Sequence, residues 1–227
     1  MSKVILFGCG RGADVAYRYL KGDTQHDIIG FTVDEAFIKS DTFHDLPLVP
    51  FESVEKHFSP SEYRMLVLLG YQDMNHLRAA KYLQAKDKGY EFISYIHSSV
   101  YSLENLDVGE NCFIMENQSI NLDVKIGNNV VMWSCNHIGD FSIVGDHVWI
   151  SSHVSVSGGV TIKAYSFIGI NASISNNVIL SPETLVGAGA FISQNTKEGG
   201  VYTQESAKCI FEDSRRFMNI LETTGKL

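Results

Sequence analysis

From Val108 to Ile192 every sixth residue is apolar: Val108, Ile114, Ile120, Ile126, Met132, Ile138, Val144, Ile150, Val156, Ile162, Ile168, Ile174, Leu180, Val186 and Ile192. A helix repeats about every 3.6 residues and a strand every second residue, so neither alone carries this period. The residue after each apolar position is often small, as at Gly109, Gly127, Gly139, Gly145, Ser151, Gly169, Ser175 and Gly187. An inward apolar side chain followed by a tight corner, three times per turn, describes a parallel β-helix of triangular section. Residues 18 apart in the sequence then stack at about the 4.8 Å spacing of paired strands. Corner residues therefore form ladders along the prism edges. One ladder runs through Ser151, Gly169 and Gly187, followed by Ser152, Ile170 and Ala188. Its small side chains suit a long thin ligand lying along the prism. Three flat faces favour side-by-side packing, and a trimer about an axis parallel to the prism is the natural closed assembly.

The first hundred residues follow another pattern. Lys3–Phe7 reads as a buried strand that enters Gly8-Cys9-Gly10-Arg11-Gly12, and Ala13–Leu20 has helical spacing. Asp27–Val33 and Met65–Leu69 read as further strands and Asn75–Lys88 as a helix with Leu77, Ala80 and Leu83 as its apolar stripe; Glu91–Ile96 closes the unit. Alternating strands and helices with short connections predict a parallel sheet with helices packed on it, a Rossmann-like α/β domain. The glycine loop follows the first strand and opens a helix, where free N–H groups and the dipole attract phosphate. Gly8, Gly10, Arg11 and Gly12 are thus candidate nucleotide-binding residues, with Asp34 at the tip of the second strand placed to accept from a ribose or base. The loop is GxGxG and lacks the full dinucleotide fingerprint, so the same glycines also fit a plain tight turn. We expect boundaries at 1–96, 97–203 and 204–227, with Ser206–Leu221 as a helix capping the open end of the coil.

Composition narrows the functional classes. A net charge of −8 and no Lys/Arg cluster argue against a nucleic-acid partner. No apolar run is long enough to insert in a membrane. Cys9, Cys112, Cys135 and Cys209 show neither CxxC nor paired spacing and read as reduced thiols; with no leader pattern before Val4, a cytoplasmic protein is expected. Cys135 and His153 stack on one ladder, while His147 falls on another edge, so a closed metal site is not expected.

The hexapeptide repeat joined to this N-terminal domain resembles the left-handed β-helix acyltransferases that act on nucleotide-linked amino sugars, the sialic-acid O-acetyltransferase-like group with the bacillosamine and perosamine N-acetyltransferases. The resemblance is carried by Gly8-Cys9-Gly10-Arg11-Gly12-Ala13, Gly30-Phe31-Thr32-Val33-Asp34, Ile96-His97-Ser98-Ser99-Val100, Ser157-Gly158-Gly159-Val160 and Ile168-Gly169-Ile170-Asn171-Ala172. It implies a homotrimeric, acetyl-CoA-dependent N-acetyltransferase serving surface-glycan biosynthesis, with no metal. The nucleotide end of the sugar would be held by the N-terminal domain. The CoA arm would lie in the cleft between prisms, against backbone near Gly169, Ile170, Gly187 and Ala188, with Trp149 as a wall. In the resembling family a histidine base stands five residues before the glycine of a later corner. Counting back from Gly145 reaches Asp140 here, and the nearest histidine is His137. Three roles follow: His137 as base oriented by Asp140, Asp140 itself or the substrate as proton acceptor, or a chain without this chemistry. Alternatives to N-acetylation are sugar O-acetylation, a metal-dependent β-helical hydratase and a non-catalytic homologue. An amine acceptor tolerates a weak base better than a hydroxyl does.

Overall fold

The computed structural model describes residues 2–103 and 105–224; Glu104 of the expected second segment and positions 1 and 225–227 lie outside it. The N-terminal sheet is built from β1 (Lys3–Phe7), β2 (Asp27–Val33), β3 (Thr42–Phe43), β4 (Leu46–Pro50), β5 (Arg64–Val67) and β6 (Glu91–Phe92), in the spatial order β3-β4-β2-β1-β5-β6. All pairs are parallel except the β3–β4 hairpin, which the sequence pattern does not reveal. Helix α1 (Arg11–Asp23) turns Ala13, Ala16 and Leu20 inward, as their spacing predicts.

Helix α2 (His76–Asp87) corrects the predicted stripe. Leu77 and Leu83 are 42% and 47% exposed, and the buried face carries Arg78, Ala79, Tyr82 and Ala85. The helix is rotated because Arg78 finds five oxygen acceptors inward, which outweighs burying two leucines.

Beyond β6 the chain winds into a three-faced coil whose strands are each two residues long. The first face runs from Tyr95–Ile96 through Phe113–Ile114, Val131–Met132, Trp149–Ile150, Phe167–Ile168 and Leu185–Val186 to Val201–Tyr202. The second runs from Tyr101–Ser102 through Ser119–Ile120, His137–Ile138, Ser155–Val156 and Ser173–Ile174 to Phe191–Ile192. The third begins at Asp107–Val108 and ends at Ile179–Leu180. Every pair joins residues 18 apart except the last rung of the first face. From Ile114 to Ile192 each residue of the six-residue repeat is at most 5% exposed. Each such burial stabilises by roughly 1.5–3 kcal/mol before entropy is counted.

A second inward register lies two residues before the first and mixes apolar with polar residues: Cys112, Gln118, Val124, Val130, Asn136, Ser142, Val148. Its polar members bond carbonyls at the corners, as Gln118 Nε2 does to Trp133 O at 2.8 Å and Ser142 Oγ to Ser157 O at 3.1 Å. The corners pass through left-handed backbone at Asn111, Asn117, Asn129, Asn171 and Asn177, where Asn is favoured. They do so as well at Cys135, Phe141, His147, His153 and Tyr165.

Two seams dock the N-terminal domain on the coil. On the α1 side Tyr19 Oη donates to Glu116 at 2.9 Å, and Asp23 accepts from Tyr95 Oη at 3.0 Å. On the other, Asn111 exchanges two hydrogen bonds with Val67, and Asn75 Nδ2 donates to Tyr165 O. Between the seams a shared core joins Phe31 and Leu66 to Phe113, Val131 and Trp149. Helix α3 (Ser214–Thr224) forms within the expected C-terminal segment, and none of its residues is buried in the single chain.

Candidate functional site

A cavity of about 840 Å³ lies between the carboxyl ends of the sheet strands and the first face of the coil. That end of an open parallel sheet is where ligands enter. Three features of the glycine loop build the rim. Gly8 sits at φ +117°, a conformation that L side chains rarely adopt, and its N–H bonds Thr32 O at 2.7 Å, tying the loop to β2. A Cβ on Gly12 would stand 2.9 Å from Leu68 O, so only glycine lets α1 pack this close to the strand. Gly10 caps α1 with no side-chain hydrogen bond, leaving first-turn N–H groups to a ligand.

The charges around the rim are Arg11, Lys39, Lys81 and Asp34. Asp34 is ion-paired, its Oδ1 held by Lys81 Nζ at 2.5 Å. Three cations against one carboxylate make the cavity attractive to a diphosphate although the chain as a whole is acidic. The opposite wall is aromatic. Phe113, Trp133 and Trp149 come from the coil, and Tyr71 closes over Trp149 with ring centres 5.2 Å apart in an edge-on arrangement.

The expected nucleotide residues Gly8, Gly10, Arg11, Gly12 and Asp34 thus share one cavity. Trp149 requires a correction. It is 7% exposed and lines this same cavity inside one chain, whereas its outward register pointed to a cleft between prisms. The reason is that the N-terminal domain covers the first face of the coil. Gly169, Ile170, Gly187 and Ala188 stand at the corner between the first and second faces. A Cβ on Gly169 would come within 2.6 Å of Ala188 N, so coil stacking itself demands glycine there, while Ile170 is 47% exposed.

His137 and Asp140 are elsewhere. His137 is exposed on the second face, between Ser119 and Ser155 of the adjacent rungs. Asp140 lies at the next corner, its Oδ1 accepting from Leu122 N–H at 3.1 Å. No hydrogen bond or ion pair joins the two, so the expected orienting contact is not made in this chain. Both are separated from the cavity by the prism edge.

Histidines 147 and 153 lie on different edges, and among the described residues no group of three or more His, Cys, Asp or Glu is placed to hold a metal ion. His147 is buried under α2, its Nδ1 2.8 Å from Asn129 Nδ2, and burial pushes its pKa down to about 4. It is a neutral acceptor in the seam.

Several site residues escape sequence reasoning. Lys39, Thr42 and Phe43 reach the cavity from the unrecognised hairpin region, and Tyr71 from the loop after β5. The hairpin is fixed by His44, whose Nε2 is 2.8 Å from Asp14 Oδ1 and whose ring stacks on Tyr17. The hydrogen bond from Arg18, with help from His44, holds the Asp14 carboxyl below its ordinary range. The only usable signal is the His44-Asp45 pair between two short apolar runs.

Solved structures with this arrangement include the acetyltransferase domain of PglB from Neisseria gonorrhoeae FA1090, with 18% sequence identity and a TM-score of 0.77 over 92% of this chain and 99% of that one. PerB from Caulobacter crescentus, solved in complex with CoA and GDP-perosamine, has 20% identity and a TM-score of 0.76 over 92% and 97%. WeeI from Acinetobacter baumannii AYE has 14% identity and a TM-score of 0.75 over 92% and 99%. This chain shares their fold. No protein-family model and no curated protein matches the sequence. Among the described residues no helix is long and apolar enough to cross a membrane.

Proposed function

We propose that this protein is an acetyl-CoA-dependent N-acetyltransferase acting on the amino group of a nucleotide-linked amino sugar. The observation that carries the reading is the cavity: a glycine loop and three cations on one wall, aromatic side chains of the coil on the other. That pairing suits a diphosphate beside a flat or deoxygenated ring. PerB, which has the same fold, was solved with CoA and GDP-perosamine, a ligand of that class.

Because the cavity opens on the first face and His137 lies on the second, one chain cannot bring both to one substrate. A side-by-side homotrimer supplies the missing half, with the second face of one prism meeting the cavity mouth of the next. The CoA arm then runs along the Gly169–Gly187 corner, where small residues leave the backbone accessible. The amine nitrogen attacks the thioester carbonyl carbon, and the tetrahedral intermediate expels the CoA thiolate. The amine proton passes to His137 or Asp140. Since these two groups do not touch, each acts as an independent acceptor. An alcohol would need a stronger base, so the unpaired arrangement favours an amine over a hydroxyl acceptor. We take the reaction to run in the cytoplasm, upstream of surface-glycan assembly, a reading supported by cysteines that show no paired spacing.

The test is thiol release from acetyl-CoA in the presence of UDP-, GDP- or dTDP-linked amino sugars, with His137→Ala and Asp140→Asn alongside. One acceptor is expected to support turnover, and removing the operative base lowers kcat by about 10²–10⁴-fold. Absence of release with every acceptor overturns the reading.

A further inference from the structure

Arg78 is among the largest fully buried side chains of the described residues, at 0% exposure. Among the described residues no carboxylate pairs with it. Its Nη1 donates to Gly70 O at 3.2 Å and Asn75 Oδ1 at 3.0 Å, and its Nη2 reaches His147 O at 2.9 Å and Asn129 O at 3.3 Å. Its Nε has no partner. Its oxygen acceptors hold it inward, but replacing even a buried ion pair by apolar groups is often neutral or stabilising, so stability alone does not call for a guanidinium here. Its geometry supplies another reason. The guanidinium centre lies 5.5 Å from the Trp149 ring, and Gly70 O belongs to the loop that carries Tyr71 onto Trp149. Both aromatics line the cavity.

We propose that Arg78 is a positioning residue of the cavity: its guanidinium clamps the Gly70–Tyr71 loop to the coil and backs the Trp149 ring, fixing the aromatic wall before ligand arrives. The inference rests on the cavity being the nucleotide-sugar site. The planar fork is essential, because lysine's ammonium offers three donors from one point, whereas the two Nη atoms of Arg78 reach five oxygens spread over three chain segments. A wall fixed in advance costs the ligand no ordering on binding.

The two tryptophans of the sequence, Trp133 and Trp149, both line the cavity, so fluorescence reports on it directly. In a Trp133→Phe background, Trp149 is the sole emitter, and Arg78→Lys and Arg78→Met are compared with that background. Acrylamide quenching of Trp149 is expected to rise severalfold in Arg78→Lys. The dissociation constants for UDP, GDP or dTDP, by calorimetry, should weaken about tenfold for whichever binds the background protein. In turnover, KM for the nucleotide sugar should rise by a similar factor with kcat within about twofold. If Arg78→Met does not fold, the lysine variant carries the test. A folded Arg78→Lys with unchanged quenching and affinity, and only a lower thermal transition, overturns the proposal. If the background protein binds no nucleoside diphosphate, the nucleotide-sugar reading fails, and quenching alone decides whether Arg78 fixes the wall.

Discussion

Acidification should weaken this fold through His147. The imidazole is 8% exposed, tilted against Tyr165 with ring centres 4.7 Å apart, and its Nδ1 takes a hydrogen from Asn129 Nδ2. Protonation would remove that acceptor and place a cation near Arg78. Burial accordingly holds the folded pKa at about 4, against about 6.5 in an unfolded chain. Between these values the unfolded state binds the proton and the folded state does not. The His147 contribution is therefore intact above about pH 6.5 and is lost progressively as pH falls towards 4. At about 1.4 kcal/mol per pKa unit the full loss is about 3 kcal/mol, of which about 2 kcal/mol has gone by pH 5. Urea unfolding of the wild type and of His147→Gln from pH 8 to 4.5 measures it. Glutamine keeps a neutral acceptor and cannot protonate, so the gap between the two stability curves should change by about 2–3 kcal/mol across this range. Parallel curves would refute the argument.

If the glycine loop binds the diphosphate as proposed, Gly12→Ala should weaken nucleoside-diphosphate binding at least about tenfold by calorimetry, because the new Cβ meets Leu68 O at 2.9 Å and displaces the loop. Ile150→Ala removes a wholly buried side chain from the middle of the coil and should cost about 2–5 kcal/mol in denaturant unfolding. Asp140→Ala deletes the carboxylate that caps Leu122 N–H and should lower stability by about 1 kcal/mol whatever its effect on turnover, whereas exposed His137→Ala should leave the unfolding midpoint unchanged.

The coil was almost wholly legible because its period is set by one kind of residue: from Ile114 to Ile192 the predicted inward positions are all buried. The second inward register was not legible, since Gln118, Asn136 and Ser142 look like surface residues until each is seen bonding a corner carbonyl. The glycine loop and Asp34 could be placed together because they follow adjacent strands. The aromatic wall could not. Trp149 was placed outward by its register, and nothing in the local pattern says which outward face another domain will cover. Leu77 and Leu83 misled for a related reason: helix periodicity identifies an apolar stripe, but the five oxygen acceptors that draw Arg78 inward come from distant segments.

Among the described residues the N-terminal domain meets the coil between Tyr95 and Phe167, with a further surface contact of His76 with Glu183. Later rungs hold only to their neighbours, and the chain's apolar edge there, at Phe191 and Val201, faces solvent. The coil is thus a zipper fastened at one end. In the single chain its early rungs have a template in the N-terminal domain and its late ones have only their neighbours, so fraying is expected to begin at the C-terminal end, away from the cavity.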